Sequence, residues 1–152
     1  MCSITVRTVE TAQDRDSCFA VRAAVFIDEQ HVPPELEYDS DDDTALHVLV
    51  LAGGRPVGTA RVLFKDGGMT AKIGRVAIDA AWRGRGLGRR LMRAIKDLPA
   101  CRGVACFMLD AQTQALPFYE SLGYVAYGEE FPDAGIPHRA MRKRRPVADP
   151  AP

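Results

Sequence analysis

Three apolar runs in the middle of the chain, ALHVLVLA (45–52), PVGTARVLFK (56–65) and KIGRVAI (72–78), are separated only by GGR and DGGMTA. Parallel neighbours need a crossover of a dozen or more residues, so these runs can pair only as consecutive antiparallel strands. Glycine pairs at 53–54 and 67–68 supply the tight turns of such a meander. Before it come a strand-like SITVRTV (3–9) and a helical pattern over 11–30, with Phe19, Arg22, Ala23 and Phe26 at helical spacing. An acidic segment, residues 28–43, follows and holds Pro33 and Pro34, which predict a loop or broken helix. After the meander come a basic helical pattern (88–98) stopped by Pro99, an apolar strand GVACFMLDA and a short helix TQALPFYESLG ended by Gly123. Two strand patterns, YVAYGEEF and IPHRAMRK, close the chain. The order β-α-β-β-β-α-β-α-β-β predicts an α+β fold: a mixed, mostly antiparallel sheet of about seven strands with helices on both faces.

With 152 residues the chain is the size of one domain, assigned to 1–145, and PVADPAP (146–152) reads as a disordered tail. Twenty basic and twenty acidic side chains cancel, which argues against a general nucleic-acid or anionic-membrane binder. The basic run RAMRKRR (139–145) reads as a solvated end. No apolar run approaches a membrane span, and MCSITVRTVE has no signal-peptide core, so a cytoplasmic protein is expected. Cys2, Cys18, Cys101 and Cys106 show no metal-ligand spacing with the three histidines; free thiols and no metal site are expected.

Between the meander and the second helix, residues 83–88 read RGRGLG. Glycines there allow a tight turn and close approach to bare backbone, and a helix start offers unpaired N–H groups with partial positive charge. Such a junction suits a phosphate. A dinucleotide fold would need G-x-G-x-x-G in a first βαβ unit, and a P-loop would need G-K-S/T; neither order is present. What remains is Arg83-x-x-Gly86-x-Gly88, and further on QTQALPFYESLGY places Gln112, Ala115, Tyr119, Gly123 and Tyr124 at fixed offsets.

With these two motifs the chain resembles the GNAT superfamily of acyl-CoA-dependent N-acetyltransferases. That family's pyrophosphate loop reads Q/R-x-x-G-x-G/A, and its later strand and helix read N-x-x-A-x-x-x-Y-x-x-x-G-F/Y. Gln112 replaces the usual asparagine and keeps an amide with a longer reach. RAAVFIDEQHVPPELEYD and GIPHRAM are similar to the bacterial YjcF/ElaA-like branch, and the resemblance covers about residues 4 to 143. It implies the GNAT acyltransferase fold and acetyl-CoA as cofactor. The pyrophosphate would lie on Arg83, Gly84, Arg85, Gly86, Leu87, Gly88 and Arg89, and the pantetheine arm would pair with the backbone of Val76, Ala77 and Ile78. Gln112, Phe118 and Tyr119 are implied as further cofactor contacts, and Tyr119 holds the position of the family's usual general acid.

One polar residue interrupts each meander strand: His47, Arg61 and Arg75. Buried charge is costly unless paired, and Glu29, Glu35, Glu37 and Asp39 of the acidic segment are available partners. Arg22 and His138 could complete a polar acceptor pocket; the alternative is an ion-pair network that only pins the loop to the sheet. The candidates for that acceptor pocket are Arg22, Glu29, Glu37, Asp39, His47, Arg61, Arg75 and His138, with Glu37 and Asp39 as amine binders, His47 or His138 in support, and Glu37, Asp39 or His47 as the base. The leading reading is direct attack of a primary amine, of a small molecule or a peptide, on acetyl-CoA in a ternary complex. Cys106 lies in an apolar strand and makes a poor nucleophile. An acyl-homoserine-lactone synthase-like enzyme and a non-catalytic acyl-CoA sensor are the alternatives. Oligomeric state is open, with a homodimer allowed by the family.

Overall fold

A computed structural model of the protein describes residues 3–146. Cys2 and most of the expected tail (147–152) lie outside the described residues. Seven described strands form one mixed sheet in the order β1-β2-β3-β4-β5-β7-β6. The chain divides into two compact units: Ile73–Arg102 together with the chain up to Leu63, and Phe64–Lys72 together with the chain from Gly103 onward.

In the first unit, β1 (Ile4–Thr8) pairs antiparallel with β2 (Leu46–Ala52), with Val6 opposite Val50. β2 pairs antiparallel with β3 (Arg55–Lys65) through a turn in which Gly53 and Gly54 both take positive φ, 55° and 83°. Two positive angles in a row are what a two-residue hairpin of matching twist demands. Four consecutive β2 residues, His47 to Val50, are buried, as are six in β3, so these strands are covered on both sides rather than alternating. Gly58 is fixed by packing: a Cβ there would come within 2.7 Å of Ile78 Cδ1 and 3.1 Å of Val50. β4 (Thr70–Ile78), which belongs to this unit from Ile73 on, follows β3 in the strand order.

The helices of this unit follow their apolar faces. Leu87, Leu91, Met92 and Ile95 are the buried stripe of α3 (Leu87–Asp97), which stops as Leu98 turns extended ahead of Pro99. α1 (Ala12–Arg22) is capped by the Thr11 side chain, which accepts from the Asp14 N–H. The helical pattern over 11–30 departs from a single α-helix: Ala23–Glu29 is π-helical. There Gln30 N–H donates to Val25 O at 3.1 Å and Val32 N–H to Phe26 O at 2.8 Å. The acidic segment folds into a short α2 (Pro34–Glu37) and a 3-10 turn (Ser40–Asp43).

In the second unit, β5 (Cys106–Gln112) pairs antiparallel with β7 (Ile136–Arg144), from Cys106 opposite Arg144 to Gln112 opposite His138. β6 (Val125–Asp133) pairs antiparallel with β7, and its register shifts between Tyr127 and Phe131. β5 alternates buried and half-buried residues, with Phe107, Leu109 and Ala111 inward. α4 (Leu116–Ser121) follows β5 after a 3-10 turn.

Candidate active site

At the end of β4 the Asp79 carboxylate accepts from the Ala81 N–H at 3.1 Å and starts a 3-10 turn, Ala80–Trp82. Gly84 (φ 76°) and Gly86 (φ 77°) then carry the chain into α3, with Gly86 as its N-cap. A Cβ on either glycine would meet no described atom within 4 Å, so here the left-handed backbone, not crowding, selects glycine. The first turn of α3 has no acidic residue, and Arg89 and Arg90 sit in it. Cations at the positive end of a helix oppose its dipole, whereas an anion there is favoured twice over. Of the loop arginines, Arg85 lies 4.5 Å from the Trp82 ring centroid. Arg83 donates from Nε to Ile78 O at 3.0 Å, while its two terminal nitrogens meet the Glu29 carboxylate at 2.8 and 2.7 Å.

Val76, Ala77 and Ile78 lie at the end of β4, and buried Ala77 packs with Val21 and Val25, with Phe26 against them. Just before them Arg75 takes a positive φ of 50°, a strained conformation for a non-glycine residue.

The second motif is a helix terminus. Gly123 (φ 95°) donates to Glu120 O at 2.9 Å, and Tyr124 donates to Tyr119 O at 3.1 Å. These two bonds are the Schellman pattern, in which the residue after the glycine reaches back to the carbonyl five positions earlier. The accompanying hydrophobic contact is the edge-on pair Tyr119–Tyr124, with ring centroids 6.0 Å apart. The Tyr-x-x-x-Gly-Tyr spacing is therefore the chemistry of a cap that fixes the turn bearing Tyr119. Its side chain is buried, packs edge-on to Phe118 (5.0 Å), and burial pushes the phenol up to about 12. In the preceding turn the Gln114 amide donates to the Gln112 side-chain oxygen. Cys106 is half-buried in β5.

The polar residues of the meander form a charge-balanced network. His47 and Arg61 are register partners on β2 and β3. Arg22, 1% exposed, donates to Glu37 Oε1 at 2.8 Å and to both oxygens of Asp42 at 2.7 and 3.1 Å. Arg61 holds both oxygens of Asp39 at 2.6 and 2.9 Å and reaches Asp42 Oδ1 at 2.9 Å. Arg75 is 3.2 Å from Glu37 Oε1, 3.4 Å from Asp39 Oδ2, and donates to the carbonyls of Leu36 and Glu37. Three guanidinium groups thus face three carboxylates. Burial opposes ionisation of Asp42, but hydrogen bonds from Arg22 and Arg61 outweigh it and hold the carboxyl well below the usual range. The Asp39 carboxyl is also lowered, chiefly by its hydrogen bond from Arg61.

Asp42 is the member that sequence reasoning misses. Its signal was the Asp39-x-x-Asp42 spacing, because the two carboxylates form a reciprocal capping box on the 3-10 turn. His47 Nε2 lies 2.9 Å from the Asp42 carbonyl. A carbonyl only accepts, so Nε2 carries the proton in this contact, and buried Nδ1 has no hydrogen-bond partner among the described residues. Glu37 is 1% exposed, whereas the Asp39 side chain is 36% exposed. Arg22 and Arg75 both reach Glu37 Oε1, and its buried Oε2 has no hydrogen-bond partner among the described residues. Glu29 and Glu35 lie outside this network. Glu29 is bound to Arg83, and Glu35 is exposed on α2. His138 belongs to the second unit, where Nδ1 meets Ile136 O at 2.7 Å and the ring stacks on Phe131.

A mixed sheet whose fourth strand runs through a glycine loop into a cationic helix start is the framework of an acyltransferase. The chain belongs to the GNAT acetyltransferase family, whose domain model matches residues 9–145. It is 43% identical over 126 residues to the uncharacterized N-acetyltransferase YjcF of Bacillus subtilis, covering 82% of this chain and 89% of YjcF. It is 34% identical over 129 residues to Escherichia coli ElaA, covering 81% of this chain and 82% of ElaA. The ElaA crystal structure has a TM-score of 0.79 at 27% identity, covering 95% of this chain and all of that one (100%). A Lactobacillus plantarum structure assigned to the N-acetyltransferases reaches a TM-score of 0.85 at 26% identity, over 93% of this chain and 98% of that one. The chain is thus a GNAT acyltransferase of the YjcF/ElaA-like branch. No helix among the described residues is long and apolar enough to cross a membrane.

Proposed function

We propose that the protein transfers an acetyl group from acetyl-CoA to a primary amine by direct attack. The observation that carries this reading is the loop at 83–88: two left-handed glycines opening an 11-residue helix whose first turn holds arginines and no acid. Its fit to a pyrophosphate is chemical, since backbone N–H groups, the helix dipole and guanidinium charge all favour an anion there. Gly84, Gly86, Leu87 and Gly88 would supply the backbone donors; Val76, Ala77 and Ile78 would pair with the pantetheine amides. When bound, the cofactor supplies the thioester. The amine nitrogen attacks its carbonyl carbon, the new C–N bond forms and the C–S bond breaks. One proton leaves the nitrogen and one reaches the sulfur, so the neutral amine and thioester become amide and thiol.

An alkyl ammonium titrates near about 10, so it must lose a proton before attack. Asp39, the exposed carboxylate of the arginine network, is our choice for attracting the cation, with water carrying the proton away; Glu37, His47 and the arginines hold the acidic segment in place. Tyr119, protonated throughout the neutral range, is our choice as donor to the leaving sulfur. Release of CoA thiol from acetyl-CoA, measured across a panel of small amines, polyamines, amino sugars and peptide N-termini, tests the reading. Amine-dependent release is expected. Tight CoA binding without turnover on any amine would instead make the protein an acyl-CoA sensor.

A further inference from the structure

Arg83 opens the glycine loop, yet its side chain already has three acceptors. Nε donates to Ile78 O at the end of β4, and the terminal nitrogens grip both oxygens of Glu29, 54 residues earlier at the end of the π-helical segment. That segment packs on the same strand end, through Val25 against Ala77. Arg83 therefore spans the last residue of β4 and the last residue of Ala23–Glu29, with the phosphate loop starting at its own backbone.

We propose that Glu29 and Arg83 are a positioning pair for the cofactor loop, and that Glu29 acts there rather than at the amine. This rests on the assignment of coenzyme A to the loop. The Arg83 and Glu29 side chains are 45% and 36% exposed, and a surface pair of this kind contributes little to stability. Its geometry is the more telling feature. Only a planar guanidinium can hold two parallel bonds to a carboxylate and a third to a carbonyl, so lysine could keep the charge but not the brace.

The sign of one substitution separates this role from direct phosphate binding. A carboxylate beside a polyanion repels it, so Coulomb's law alone says that Glu29→Gln tightens cofactor binding. A positioning role says the opposite, because the loop loses the contact that orients its first residue. Calorimetry with acetyl-CoA on the whole protein, with melting curves as a control for folding, reads the difference. We expect Glu29→Gln, Arg83→Gln and Arg83→Lys each to weaken binding about three- to ten-fold. Glu29→Gln/Arg83→Gln should be no weaker than either single variant, since a shared contact can be lost only once. The KM for acetyl-CoA should rise correspondingly while kcat at saturation stays within about two-fold. Unchanged or tighter binding by Glu29→Gln, wild-type binding by Arg83→Lys, or additive losses in the double variant would overturn the proposal and make Arg83 a phosphate ligand. A wild-type protein that binds no acetyl-CoA would instead defeat the cofactor assignment itself, a result visible before any variant is made.

Discussion

Tyr119, the donor proposed for the leaving sulfur, shows how burial decides what a phenol can do. With its phenol pushed up to about 12 it is protonated at any working pH, which suits a donor. Full transfer to a thiolate with an ordinary value of about 8.5 would be uphill by roughly 5 kcal/mol. In the proposed reaction the phenol would therefore serve better as a hydrogen-bond donor to the departing sulfur than as the source of its proton, which the amine nitrogen gives up as it becomes an amide. A hydrogen bond to a charged partner contributes about 1.5–3 kcal/mol. Tyr119→Phe should accordingly bind acetyl-CoA as the wild type does and lower kcat by about ten- to a hundred-fold. Wild-type kcat would remove the phenol from the mechanism. Gly86 offers a complementary test. Its φ of 77° disfavours a branched side chain on conformational grounds alone, so Gly86→Asn is the informative change, because asparagine tolerates the left-handed region. The added Cβ meets no described atom within 4 Å, so melting should move only slightly. Acetyl-CoA affinity should fall at least ten-fold by calorimetry if phosphate approaches that backbone.

Secondary-structure elements were legible wherever a local chemical rule sets them. The meander follows from its glycine turns, and the Tyr119–Gly123–Tyr124 spacing can be read as a helix cap because the pattern is written in three residues. A cap makes a prediction of its own. Gly123→Ala would force a left-handed alanine, costing about 1–2 kcal/mol, and its Cβ would press on Lys143 Cε at 3.3 Å. A lower melting temperature is expected, together with a fall in kcat larger than the change in acetyl-CoA affinity, because the cap holds the turn that carries Tyr119. Equal kcat in a folded Gly123→Ala protein would uncouple the cap from catalysis. What could not be read was the π-helical Ala23–Glu29. Apolar residues three and four apart satisfy α and π winding alike, and the choice lies in which carbonyl each N–H meets. For Asp42 the capping-box spacing with Asp39 was a signal of the turn, not of its arginine partner. Among Asp39, Asp41, Asp42 and Asp43, only the path of the 3-10 turn decides which carboxylate reaches Arg22. Glu29 and Arg83, 54 residues apart, carry no sequence signal of their pairing.

The protein as a whole should register these buried charges as a response to acid. Asp42 and Asp39 are both held below the ordinary aspartate value of 3.8. A carboxyl with a depressed folded value takes up its proton more readily in the unfolded chain. Its stabilising contribution is therefore complete above the unfolded value and is lost as pH falls toward the folded one. Melting temperature should be nearly level from about pH 7 to 5 and then drop steeply below about pH 4. Asp39, a third exposed, is screened by solvent and contributes less than Asp42. Asp42→Asn separates their shares. It leaves Arg22, 1% exposed, one carboxylate short, and breaking a buried pair in this way costs on the order of 3 kcal/mol at neutral pH. The variant has also lost a group that takes up its proton more readily in the unfolded chain, so its melting temperature should fall less steeply on acidification and the two curves should converge as pH drops. Thermal unfolding of both proteins in steps from pH 7 to 3 measures this. Parallel curves would mean that Asp42 is no more strongly ionised in the folded protein than in the unfolded chain, and that the arginine network does not hold the acidic segment to the sheet.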